Sequence, residues 1–265
     1  MKTPIEYFYH WEKETPENVF LKQPFGNKWT TMTFAETANE ARKLVTALNE
    51  MGLKKGDHIG ILSKNCYHWI ITDIAITMGG FISVPFYASL PKDQLNEVIL
   101  KSDIKLLFIG KLDSWGNKGE ALPKTLKTIT FPHYEGNAKV NIGVTWKELV
   151  ANKQPFSENF IPKLDDTWTI LFTSGTTGSP KGVMLPFKSI AAVFRDEERY
   201  NTLGIHQLKE HTFFSFLPLN HVAERLAIEG AAFFTGGSIS FAESIDTFNK
   251  NLQDIQPTVF FAVPR

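Results

Sequence analysis

From Ile59 to Ile109 the chain alternates short apolar runs with stretches of helical length, and this alternation limits it to an α/β fold. Ile59 to Ser63 reads as a strand, about Tyr67 to Met78 as a helix, Phe81 to Phe86 as a strand, Lys92 to Ser102 as a helix and Lys105 to Ile109 as a strand. A βαβαβ unit follows from that order. Upstream, Thr33-Phe34-Ala35-Glu36 has capping-box spacing. Phe34, Ala38, Ala41, Val45 and Leu48 then fall on one helical face until Gly52 supplies a stop.

A second unit is expected near the end: strand Phe213 to Leu217, helix His221 to about Phe234, strand Ser238 to Phe241, helix Ile245 to Ile255 and strand Thr258 to Val263. Asn220 and Ser244 are the expected N-caps, and Gly236-Gly237 and Pro257 close the helices. Between the units, Leu112 to Asp166 is rich in Lys, Gly, Asn and Pro and reads as a connecting region with short strands and one helical turn at Thr145 to Val150. The expectation is two parallel-sheet subdomains with flanking helices. Residues 1–160 would form the first with its connecting region, and residues 161–265 the second.

Charge and cysteine content narrow the class of partner. Lys plus Arg number 28 and Asp plus Glu 28, so no net field draws the chain to nucleic acid or an anionic membrane. The single cysteine, Cys66, makes neither an internal disulfide nor a zinc cluster, which fits a reducing cytoplasm. The start lacks an apolar export signal. The longest uncharged run, Ile74 to Leu90, is broken by Gly79, Gly80, Pro85 and Ser89 and falls short of the ~20 apolar residues that span a bilayer.

The chemistry concentrates after the alternating run Trp168 to Thr173, which reads as a strand leading into Thr173-Ser174-Gly175-Thr176-Thr177-Gly178-Ser179-Pro180-Lys181-Gly182. Glycines let backbone N–H groups approach an anion, hydroxyls add donors and a candidate metal ligand, and Lys181 supplies positive charge. The spacing differs from the common nucleotide P-loop, because proline precedes the lysine and glycine follows it.

This string resembles the signature of the adenylate-forming superfamily of acyl-CoA synthetases, luciferases and peptide-synthetase adenylation domains. The resemblance runs from Trp29-Thr30-Thr31-Met32-Thr33-Phe34 through Leu53-Lys54-Lys55-Gly56-Asp57 to Pro257-Thr258-Val259-Phe260-Phe261-Ala262-Val263-Pro264-Arg265. It implies that Thr173, Ser174, Gly175, Thr176, Thr177 and Gly178 line the ATP phosphates, that Thr173 helps to ligand Mg2+, and that Lys181 acts on the pyrophosphate side.

A second string, Leu217-Pro218-Leu219-Asn220-His221-Val222-Ala223-Glu224-Arg225, puts a histidine just after a strand end, where α/β proteins bind ligands. It resembles the long-chain fatty acyl-CoA synthetase branch, which implies that His221 lies beside the acyl-adenylate. The tryptophan gate of some relatives is replaced by Ala223-Glu224-Arg225, and Glu224 and Arg225 are equally readable as a surface or interface ion pair. Asp196-Glu197-Glu198-Arg199 reads as a solvated helix face, Asp165-Asp166 as an entry turn, and Trp69 and Trp168 as core.

The resemblance implies ATP-dependent activation of a fatty acid, with coenzyme A (CoA) as the thiol acceptor. The acidic magnesium ligand, ribose-binding aspartate and catalytic lysine of relatives lie beyond Arg265. The chain is therefore expected to be the amino-terminal part of a longer cytoplasmic ligase and inactive alone, with peripheral membrane contact left open. A nucleotide-binding module without ligase activity, and a carrier-protein or aryl-acid ligase, remain alternatives.

Overall fold

The computed structural model describes residues 1–26, 28–173, 179–201 and 203–263. Its larger sheet contains β3 (His58–Leu62), β4 (Ile82–Phe86), β5 (Ile104–Ile109), β6 (Lys127–Thr130), β7 (Val144–Thr145), β8 (Thr167–Thr173) and β9 (Lys181–Pro186). They lie in the order β7-β6-β5-β3-β4-β8-β9, parallel throughout except for the antiparallel edge strand β9.

This sheet is covered on both faces, and the strands record it residue by residue. Ile59, Ile61, Leu106 and Phe108 pack with α2 (Phe34–Glu50) and α3 (Tyr67–Met78), while Leu62, Leu107 and Ile109 pack with α4 (Lys92–Ser102). Gly60 faces the α4 side, where a Cβ would meet Leu107 Cδ1 at 2.7 Å and Phe86 Cε2 at 2.9 Å; the absent side chain leaves room for its neighbours.

The expected βαβαβ unit is present, with α3 and α4 at the expected bounds and the strands shifted by one residue or less. The α2 capping box also forms: the Glu36 N–H donates to Thr33 Oγ1 at 3.1 Å and the Thr33 N–H to Glu36 Oε2 at 2.8 Å. Gly52 ends the helix region at φ +90°. From His68 to Met78 every residue of α3 is buried, because α2 covers it and α1 (Pro4–Glu14) and β1 (Val19–Phe25) pack against it as well.

The second sheet draws strands from both sides of residue 160. Only β10 (Thr212–Ser215) and β11 (Ser238–Phe241) come from the late unit; β1 pairs parallel with β11, and β2 (Lys28–Thr33) closes the order β10-β11-β1-β2. The phosphate hairpin β8–β9, expected with the late unit, belongs to the larger sheet. Among the described residues the expected strand Thr258 to Val263 is reduced to one bridge, Phe213 with Val259: Thr212 O accepts the Val259 N–H at 3.1 Å, but the Thr212 N–H goes to the Thr258 hydroxyl at 2.9 Å instead of to a carbonyl. The last helix, α9 (Phe248–Ile255), begins three residues later than expected, since Ser244 and Thr247 use their hydroxyls to hold the turn before it.

The helix expected from His221 is composite: α7 (Val222–Glu224), a π-helical stretch Arg225–Gly230 and α8 (Ala231–Thr235). His221, not Asn220, is its N-cap. Glu197 on α6 (Phe187–Tyr200) corrects the reading of a solvated face: it is fully buried and accepts the backbone N–H of Leu203 at 2.8 Å. Among the described residues no helix is long and apolar enough to cross a membrane.

Candidate active site

The expected phosphate loop lies in sequence between β8 and β9, and β8 is anchored in the sheet interior. Thr169 Oγ1 donates to Ser83 O at 2.8 Å, joining β8 to β4, and Trp168 is buried. Thr173 therefore stands at the carboxyl end of a parallel strand, the edge at which α/β sheets bind ligands. Its cross-strand partner is Lys181, and both are exposed. A hydroxyl and an ammonium thus flank the mouth of the loop. The other expected phosphate ligands, Ser174, Gly175, Thr176, Thr177 and Gly178, lie outside the described residues.

The exit of the loop is tied to α4. Ser179 Oγ donates to Glu97 Oε1 at 2.8 Å, and Lys101 Nζ bonds Glu97 Oε1 at 2.7 Å, Pro180 O at 3.3 Å and Ser179 Oγ. The hydrogen bonds from Lys101 and then Ser179 hold the Glu97 carboxyl below its ordinary range.

A hydroxyl and a lysine paired across two strands at a sheet edge can hold an oxyanion. For a magnesium ion the fit is narrower: the Thr173 hydroxyl offers one neutral oxygen, and no group of three His, Cys, Asp or Glu side chains converges among the described residues.

His221 follows β10 of the other sheet as the N-cap of α7, and no hydrogen bond joins it to Thr173 or Lys181 among the described residues. Its exposed ring accepts the Ala223 N–H at Nδ1, at 3.2 Å, so the neutral imidazole carries its proton on Nε2 and presents a donor outward. The turn before it is closed by the His221 N–H on Pro218 O at 2.9 Å.

Behind this turn the reading of Glu224 and Arg225 as a surface or interface ion pair is overturned, because both are fully buried and they bond different partners. Glu224 Oε1 accepts from Ser215 Oγ at 2.8 Å and from Phe216 N at 3.1 Å; burial raises its carboxyl to about 8, against the pull of those two bonds. Arg225 bonds Asp73 of α3, and its Nε donates to Glu229 Oε2 at 3.0 Å. Its guanidinium lies 4.2 Å from the Trp168 ring centre and 5.3 Å from that of Trp69. Trp69 and Trp168 are core residues as expected, and they also enclose this cation.

Three residues at the joint between the sheets were not singled out from sequence. Asp73 was visible as the one acid within the buried run Tyr67 to Met78, a pattern that calls for a buried cation. Asn65 and Lys111 carried no such signal. Lys111 is 3% exposed and donates through Nζ to Ala242 O at 2.9 Å and Asn65 O at 3.4 Å, thereby linking the carboxyl ends of both sheets; burial lowers its ammonium to about 8.

The profile of the family described as AMP-binding enzyme matches residues 8–265. The long-chain-fatty-acid–CoA ligase FadD15 of Mycobacterium tuberculosis (strain ATCC 25618 / H37Rv) is 29% identical over 263 residues, which cover 96% of this chain and 42% of that protein. The long-chain-fatty-acid–CoA ligase ACSBG2 of Mus musculus is 30% identical, over 91% of this chain and 38% of its own length. The chain thus spans about two fifths of these relatives. Among solved structures, the Klebsiella oxytoca NpsA N-terminal subdomain in complex with 3-hydroxybenzoyl-AMSN superposes with a TM-score of 0.77 at 19% identity, covering 99% of this chain and 60% of that one.

Proposed function

The chain belongs to the AMP-binding enzyme family, and from that premise we propose that it carries the triphosphate grip of a ligase that activates a long-chain fatty acid as an acyl-adenylate and transfers the acyl group to CoA. The observation that carries the reading is the Thr173 and Lys181 pair, which faces the loop mouth at the carboxyl edge of the larger sheet. The fatty acid is supported by relatives named long-chain-fatty-acid–CoA ligases.

A carboxylate is a poor acyl donor because its charge repels nucleophiles and its oxygen leaves badly. In the proposed reaction a carboxylate oxygen attacks the α-phosphorus of ATP, the bond to the bridging oxygen breaks, and pyrophosphate leaves. A thiol then attacks the acyl carbon and AMP departs. Lys181 would balance charge that gathers on the departing pyrophosphate, and the Thr173 hydroxyl would hold a phosphate oxygen or one position on magnesium. Magnesium bound with the triphosphate would supply further charge neutralisation. His221 Nε2–H would donate to the acyl-adenylate and orient it, a contribution of position rather than of proton transfer.

Acid-dependent ATP–pyrophosphate exchange tests this in the 265-residue chain and in a protein extended to the length of the relatives. Exchange is expected in the extended protein with long-chain acids, and Lys181→Met should reduce it about tenfold or more. Exchange with aryl acids but no fatty acid would overturn the substrate; full exchange in 265 residues would overturn the view that further groups are required.

A further inference from the structure

We infer that Asn65 is a positioning residue, whose carboxamide sets the conformation of the segment from Leu217 to His221 and so fixes the place and tautomer of the histidine. This deepens the proposed function and rests on it for the role of His221. Asn65 is only 8% exposed and lies between β3 and α3, on the side of the molecule that carries the phosphate hairpin. All three of its side-chain bonds go to the other sheet and the turn that leaves it: Nδ2 donates to Ser215 Oγ at 2.8 Å and Leu217 O at 2.6 Å, and Oδ1 accepts the Leu219 N–H at 3.0 Å.

The last two bonds bracket Pro218. Proline has no N–H of its own, so the backbone groups on either side of it are the ones that need partners, and one planar carboxamide supplies both. The Pro218 carbonyl then accepts the His221 N–H at 2.9 Å, and the His221 ring accepts the Ala223 N–H at 3.2 Å. Asn65 is thereby connected to the imidazole through a short chain of constrained atoms without touching it. The same segment is held from the helix side, since the Ser215 hydroxyl donates a hydrogen bond to Glu224 Oε1 and Phe216 donates its N–H to the same oxygen. Lys111 Nζ reaches the Asn65 carbonyl at 3.4 Å and restrains its backbone.

Asparagine is specified by the need for two donors and one acceptor in a single plane. An aspartate keeps the size and the acceptor for Leu219 but turns an oxygen toward the Leu217 carbonyl; an alanine removes all three bonds.

The test compares the 265-residue chain with Asn65→Ala and the same-sized Asn65→Asp, which keeps the question answerable if alanine fails to fold. Amide exchange and ring-nitrogen chemical shifts are read by NMR. The expected result is a loss of protection of about tenfold or more at the Leu219 and Ala223 amides, with the His221 Nδ1 signal moving toward that of a free imidazole and the amides of β5 unchanged. An unchanged His221 ring, or an equal loss of protection in β5, overturns the inference. In the extended protein, Asn65→Ala should lower the exchange kcat about tenfold, leave the KM for ATP within about twofold, and add nothing to His221→Ala. Fully additive effects also overturn it. If the parent shows no exchange with any acid, the ligase reading falls and the NMR comparison still decides the positioning role.

Discussion

Arg225→Met is the substitution that most directly tests how the core is held together. The guanidinium is fully buried between Trp69 and Trp168 and balances Asp73 and Glu229, whose side chains are 4% and 1% exposed. Methionine fills much of the same space but leaves two carboxyl groups without a cation, a situation that costs about 3–5 kcal/mol when one partner of a buried pair is removed. The loss should depend on pH with a defined sign. In the parent, burial and then the neighbouring Asp73 raise Glu229 to about 8, above its ordinary 4.5, so the folded state holds the extra proton and this stability is lost as pH rises through about 8.

Without Arg225 the acidic pair takes up one further proton on folding, adding ~1.4 kcal/mol per pH unit to the difference between the two proteins. Urea unfolding followed by tryptophan fluorescence should therefore give a destabilisation of ~3–5 kcal/mol at pH 7.5 that shrinks to below ~1.5 kcal/mol at pH 5. A difference below ~1 kcal/mol at pH 7.5, or one that does not change with pH, would refute the idea that an uncompensated buried charge is the cause.

Four other measurements probe separate parts of the molecule. Burial holds His68 neutral, down to about 3 from its ordinary 6.5, so the unfolded chain binds more protons in that window and stability is lost as pH falls below about 6.5; His68→Gln should flatten this acid limb by ~1.4 kcal/mol per pH unit in a pH series of melts. Gly60→Ala should destabilise by ~1–3 kcal/mol in urea titration, because its Cβ would overlap Leu107, Ile104 and Phe86. Thr145→Ala removes a capping box in which Glu148 bonds both the Thr145 N–H and hydroxyl, and thermal melts should show a loss of ~1 kcal/mol. Glu97→Ala frees the loop exit from α4; limited proteolysis between Thr173 and Lys181 should become several-fold faster while the global melting temperature is essentially unchanged, as expected for an exposed ion pair.

The first βαβαβ unit was legible because its strands are short apolar runs, and the helix before it because it carries its own start and stop signals, the box at Thr33 and Glu36 and the turn at Gly52. Strand membership was not legible in the same way. Nothing local in Val19 to Phe25 says that its parallel partner is β11, since pairing across that distance is decided by tertiary packing rather than by periodicity. The same holds at the candidate site. Thr173 and Lys181 are marked by their string, whereas Asn65 acts through a side chain that meets its partners about 150 residues later. Glu224 and Arg225 misled the sequence reading because adjacent opposite charges usually point to water, and only the sheet packed behind them shows each turned to a separate buried partner.

The membership of β1 in the later sheet bears on how the chain is made. Leu21 aligns with Ile239, so one edge of the β1–β2 ribbon has no parallel neighbour until the chain has been synthesised as far as Ile239. At roughly 5–20 residues per second this is a delay of ~10–40 seconds, during which Phe20 can already pack on Phe8 and Phe34 but the main-chain edge of Leu21 has no parallel partner. The larger sheet can assemble around α3 meanwhile. The nascent protein therefore passes through a stage in which its first ribbon is an exposed docking edge, and chaperone contact in translation should concentrate on residues near the amino terminus rather than on the segment most recently emerged.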